Sequence, residues 1–177
     1  MSKPKHIDPL DTLGAVYETM YEHVVDRLHK AKDAATDKAP QLQEWIAEAK
    51  HKAEELDELT DDDAKKLASW LKRDFDDMMH HLSETEGELK EWLGFEASLF
   101  KTALLEKLLE AADKTTVELL RMKENVHQPS TYHTGEITGP GSLICDECQE
   151  ILHFHQSGKI PPCPKCNSTM YHRILID

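Results

Sequence analysis

Cys145-Asp146-Glu147-Cys148 and Cys163-Pro164-Lys165-Cys166 decide the C-terminal fold, and the 14 residues between them decide how it closes. In each stretch the two-residue spacer lets the chain turn so that both sulfurs face one ion. Backbone N–H groups of the same turn spread the thiolate charge. Two such knuckles supply four sulfurs, a complete tetrahedral shell about 2.3 Å from the metal. Cys145, Cys148, Cys163 and Cys166 are therefore predicted to hold one Zn2+ per chain. Four thiolates suit iron as well, and a C-x-x-C element can be a redox pair. Redox pairs, however, open a helix in a βαβ setting that this sequence lacks. A shell closed by four cysteines leaves no position for water or substrate, and none for His153, His155 or His172, so the metal is read as structural.

Outward from the knuckles, Ile151-Leu152-His153-Phe154-His155 alternates like a strand, and Met170 to Ile176 reads as another. Leu143-Ile144 leads into the first knuckle, and Gln156 to Lys159 reads as a turn. This is the arrangement of a zinc ribbon. All four cysteines lie after residue 144, a layout unlike that of a secreted disulfide scaffold. None of the eight prolines falls between residues 41 and 128, where only Gly87 and Gly94 interrupt a run of helix formers. After Gln128 the glycines and prolines of turns take over. The chain divides into an acidic helical domain, residues 1–128, and a zinc ribbon, residues 129–177.

Four helices are predicted in the first part. The first starts from Asp8 as N-cap with Pro9 at the first helical position, and carries Leu10, Leu13, Tyr17, Met20, Val24, Leu28, Ala31 and Ala35 on one stripe. The second begins near Pro40 and presents Leu42, Trp45, Ile46, Ala49, Ala53, Leu56 and Leu59. Thr60-Asp61-Asp62-Asp63 supplies a cap and dipole-complementing acids for the third, which presents Leu67, Leu71, Phe75, Met78 and Leu82. A fourth runs from about Ser83 or Thr85 to Asn125, with Leu89, Trp92, Phe100, Leu104 and Leu108 among its apolar positions. The stripes must bury one another, and none of them needs the ribbon. The fold class is mainly α, an antiparallel helical bundle or coiled-coil hairpin followed by a small β zinc ribbon.

Charge narrows the function. The formal net charge is −13, and residues 54 to 91 hold 14 acids against 5 bases. Such a segment is a docking face for a basic protein partner or a solvated helix surface. The ribbon, with Lys159, Lys165 and Arg173 as its bases, is not basic enough to hold a phosphate backbone, which argues against direct nucleic-acid binding. No apolar run follows the amino-terminal lysines and none is long enough to span a bilayer, so no membrane contact and a cytoplasmic setting are expected. Glu48 with His51 and Glu124 with His127 match the i, i+3 pairs of di-iron bundles, but their helical phase turns them away from the apolar stripes. His80 and His81 are read as surface histidines.

Tyr132-His133-Thr134-Gly135-Glu136, Gly139-x-Gly141-x-Leu143-Ile144-Cys145-x-x-Cys148 and Cys163-Pro164-x-Cys166 together resemble an uncharacterised bacterial family of zinc-ribbon-containing proteins, whose members place an acidic helical domain before the ribbon. The resemblance at motif level covers about residues 132 to 176. It implies metal ligation by the four cysteines and a bacterial cytoplasmic setting, and no activity. Asn167 stands where second knuckles usually carry glycine; Asn tolerates the left-handed backbone this position needs. The Tyr132–Glu136 element reads equally as a dock of the ribbon on the helices or as an ordinary turn. No catalytic constellation or phosphate loop is visible in the sequence. The chain is read as a non-enzymatic, zinc-binding adaptor or regulatory protein acting through protein–protein contacts. A transcription- or nucleic-acid-associated ribbon with phosphate-mimicking helices is one alternative. An enzyme with a site between helices is the other.

Overall fold

A computed structural model describes residues 9–33, 42–57, 59–84, 107 and 130–173. Three helices come first: α1 (Pro9–Asp33), α2 (Leu42–Asp57) and α3 (Asp61–Glu84). They pack on one another around a shared core. Of the predicted fourth helix, Ser83 and Glu84 belong to α3 and, beyond them, only Lys107 lies among the described residues; it is helical, and its Nζ donates to Asp26 at 2.7 Å.

The predicted stripes are mostly buried among the described residues; Leu13, Trp45 and Leu59 are half-buried, and Ala35 lies outside the described residues. Tyr17, Met20, Val24 and Leu28 of α1 meet Leu42, Ile46, Ala49 and Ala53 of α2 and Leu67, Leu71, Phe75, Met78 and Leu82 of α3. On α1 the stripe is wider than predicted, because Val16, Tyr21 and Val25 are buried too. That helix packs against the other two and also against the strands, and two contacts need two faces. His51 is exposed, as its phase predicts. Glu124 and His127 lie outside the described residues.

On α3 the sequence reading needs correction. Asp74, Asp77 and His81 are buried, at 3%, 4% and 0% exposure, so His81 is an interior residue and two of the acids assigned to a solvated or docking surface are interior as well. Their spacing, 3 and then 4, runs them as a polar stripe alongside the apolar one. Burying a carboxylate is tolerable only where partners meet it, and for Asp74 and Asp77 several of them come from the C-terminal part.

That part holds six short strands: β1 (Thr131–His133), β2 (Ile137–Thr138), β3 (Gly141–Cys145), β4 (Ile151–Phe154), β5 (Gly158–Lys159) and β6 (Met170–Arg173). Four form an antiparallel sheet in the order β1-β6-β3-β4, and β2 pairs with β5 separately. The two predicted strands are present as β4 and, over Met170–Arg173, as β6, while residues 174–176 lie outside the described residues; Leu143 and Ile144, read only as leading into the first knuckle, belong to β3. Gly158 and Lys159, read as turn, pair with Thr138 and Ile137 instead. The sheet buries one face around Tyr132, Leu143, Cys145, Ile160, Cys163 and Tyr171. Ile137 leaves this small core and joins that of the helices.

Candidate metal centre

The first knuckle follows β3 and the second precedes β6, so sheet pairing brings the two together. Tyr171 of β6 lies opposite Cys145 of β3. Each knuckle closes by the same two backbone bonds. The N–H of Gln149 donates to the Cys145 carbonyl at 3.0 Å, and that of Asn167 to the Cys163 carbonyl at 2.9 Å. The N–H of Cys145 donates to the Glu150 carbonyl at 2.8 Å, and that of Cys163 to the Ser168 carbonyl at 2.9 Å. Gln149 and Asn167 occupy equivalent positions with φ of 62° and 61°, the left-handed conformation expected of Asn167. Gln149 adopts it without being Gly or Asn, which nothing in the sequence announced.

All four sulfurs converge, their Sγ atoms lying within 4.8 Å of one another. Cys145 and Cys166 Sγ are 3.6 Å apart, and Cys148 and Cys163 Sγ 3.5 Å. A tetrahedral zinc with bonds of about 2.3 Å requires sulfurs about 3.8 Å apart. The donor set therefore fits such an ion with little adjustment. Among the described residues this is the one His/Cys/Asp/Glu group placed to hold a metal.

The backbone prepares the thiolates. Burial pushes the Cys145 thiol up, but the N–H groups of Cys148 and Glu147 outweigh it and bring it down to about 6. Cys163 moves down in the same way, against burial, through the N–H groups of Cys166 and Lys165. At Cys166 the Ser168 N–H pulls down, while burial and the neighbouring sulfurs push the thiol up to about 12. Within each knuckle one thiol is thus moved down and the other up, Cys148 being raised as Cys166 is, and a bound cation would favour the thiolate form of all four. The histidines stand outside the shell. Nδ1 of His172 lies 2.5 Å from Asp146 Oδ1, and Nδ1 of His153 lies 2.7 Å from Ser142 Oγ.

With this geometry goes a match of residues 29–174 to the family described as "Zinc-ribbon containing domain". The chain belongs to that family. Its relatives include the uncharacterized protein YbeL of Escherichia coli K12, 24% identical over 128 residues, covering 72% of this chain and 79% of YbeL. The YbeL proteins of strains O6:H1 and O157:H7 match to the same extent. No solved structure matches.

The matched stretch, residues 29–174, takes in α2, α3 and the strands but only the end of α1, and the contacts between helices and strands form a second, polar centre. Asp74 Oδ2 accepts from the Tyr17 hydroxyl at 2.5 Å, from the Gly139 N–H at 2.6 Å and from the Thr138 hydroxyl at 3.1 Å. Asp77 accepts from Ser130 Oγ at 2.7 Å and from the Tyr132 hydroxyl at 2.6 Å. Arg173 of β6 donates from Nε to the Tyr132 hydroxyl at 3.2 Å and from Nη2 to Thr138 Oγ1 at 2.7 Å, with Asp74 Oδ2 at 3.7 Å. Arg73 pairs with Glu136, donates to the Ile137 carbonyl at 3.2 Å, and lies 3.8 Å from the centroid of the Tyr132 ring. The Tyr132–Glu136 element is therefore a dock. Sequence reading offered that as one of two accounts, but had no means of naming Asp74, Asp77 and Arg173 as the other side of it.

Proposed function

We propose that this zinc-ribbon family member is a non-enzymatic adaptor or regulatory protein in which one structural Zn2+ per chain holds a ribbon against an acidic helical body that contacts a protein partner. The reading takes the helical body as an antiparallel bundle or coiled-coil hairpin, in a cytoplasmic setting. The observation that carries it is the convergence of four cysteine sulfurs. Four thiolates saturate a tetrahedral ion, so Zn2+ held by Cys145, Cys148, Cys163 and Cys166 supplies folding free energy and no open coordination position. The rest of the reading follows from charge. Arg173 is buried, and Lys165 pairs with Glu150 at 3.5 Å, which engages two of the ribbon's bases within the chain itself. Glu55, Asp61 and Asp62 remain exposed where α2 gives way to α3, suited to a basic protein surface. Among the described residues no helix is long and apolar enough to cross a membrane.

Fluorescence anisotropy with duplex DNA and structured RNA across a salt series tests the reading. Binding no tighter than about 10⁻⁴ M near physiological salt is expected. Micromolar binding with a steep salt slope, lost on Lys159→Glu and Lys165→Glu, would replace the adaptor with the nucleic-acid-associated alternative. Elemental analysis should find one zinc per chain, and none in Cys148→Ser or Cys163→Ser; iron in the untreated protein would overturn the metal assignment.

A further inference from the structure

The floor of the metal centre and the fastening of the ribbon to the helices share two paired strands. Tyr171 of β6 is fully buried in one cluster with Cys145 and Cys163, and its hydroxyl donates to the Pro161 carbonyl at 2.8 Å, two residues before Cys163. Two residues further along the same face of β6, Arg173 enters the polar centre on α3. Tyr132 lies opposite Tyr171 in the β1–β6 register and reaches Asp77 with its hydroxyl. Strands of three and four residues have no stability of their own. Their register depends on the knuckles, and the knuckles depend on the ion.

We propose that the metal-bound ribbon is a releasable clamp on α1 and α3, whose loss of metal uncovers Asp74, Asp77 and the apolar residues beside them. Without the ordered ribbon, Asp74 loses Thr138, Gly139 and Arg173 and Asp77 loses Ser130 and Tyr132, while Tyr17 and Arg73 stay beside Asp74. Two carboxylates cannot stay buried on those terms, so they turn to water and the face opens. Ile137 leaves the helical core in the same event. The metal state of the ribbon then decides how much acidic and apolar surface α3 offers. This inference does not depend on the partner's identity.

Hydrogen–deuterium exchange of the full chain tests it, comparing zinc-bound protein with protein chelated until elemental analysis finds no metal. Peptides across residues 70–82 and 16–21 should exchange about 10-fold faster after chelation and recover when zinc returns. The far-ultraviolet circular dichroism should stay helical throughout. Exchange that rises in residues 141–173 while α3 keeps its zinc-bound rate would overturn the clamp. So would loss of the helical spectrum, which would mean one indivisible fold. The double variant Asp74→Asn/Asp77→Asn should retain one zinc yet exchange in α3 as fast as chelated wild type. Full α3 protection in that zinc-bound variant would show that these carboxylates are not what the ribbon holds.

Discussion

Gly139 is a point of close approach between the ribbon and the helices. A Cβ there would stand 2.5 Å from Tyr21 Cε2, and Tyr21 has little room to yield because its ring packs 4.8 Å from that of Phe75. The same residue donates its N–H to Asp74. Gly139→Ala should therefore destabilise the chain by about 1–3 kcal/mol through overpacking. Urea unfolding should show this as a lower midpoint with an unchanged slope. At this scale the sequence is uneven in what it reveals. The cysteines were legible because a metal dictates its ligand types and because a knuckle is a local turn. Asp74 and Asp77 were not, since an acid on an acidic helix has the same letter whether water or a buried tyrosine hydroxyl meets it.

Helix α3 shows how much an element's own pattern can carry. The cap read from Thr60-Asp61-Asp62-Asp63 is present, with the Asp63 N–H donating to Thr60 Oγ1 at 3.2 Å and the Ala64 N–H to the Thr60 carbonyl at 3.0 Å. Thr60→Ala should cost about 1 kcal/mol, read from thermal or urea unfolding, with zinc content unchanged. The apolar stripe from Leu67 to Leu82 was legible by its period. The parallel stripe Asp74, Asp77, His81 has that period too and was the available signal for a second buried face. Reading it as buried, however, requires a partner surface supplied by residues 130–173, more than 45 positions further on. Periodicity reports which residues share a face, and not what covers the face.

Across the whole molecule the four tyrosines report on both parts at once. Tyr17, Tyr21, Tyr132 and Tyr171 are all buried, and burial is the first cause raising each phenol above its ordinary range, with Asp74 adding at Tyr17 and Tyr21. Tyr171 is pushed up to about 12. In the folded chain the phenols keep their protons above the pH at which unfolded tyrosine, near 10, releases them. The folded state then binds more protons than the unfolded one, so stability is full below about pH 10 and falls as pH rises beyond it. An alkaline titration followed by phenolate absorbance should show no tyrosine ionising near its ordinary value, and then joint ionisation with unfolding. A tyrosine titrating normally in the native state would contradict the packing at that residue. A fragment of residues 1–128 should keep a helical spectrum without metal but melt at a lower temperature than the full chain. It retains the apolar stripes and lacks Ile137 and every ribbon partner of Asp74 and Asp77.

The sequence by itself determined the four-cysteine centre, the β4 and β6 strands around it and the three helices with their apolar faces. Each of these follows from short-range rules of ligand spacing, alternation, period or capping. Tertiary structure alone decided that α1 buries a second face, that His81 is interior and that part of the acidic segment holds the chain's own ribbon. These outcomes depend on which distant groups arrive at a buried carboxylate, because a charge can be taken from water only where specific donors replace it.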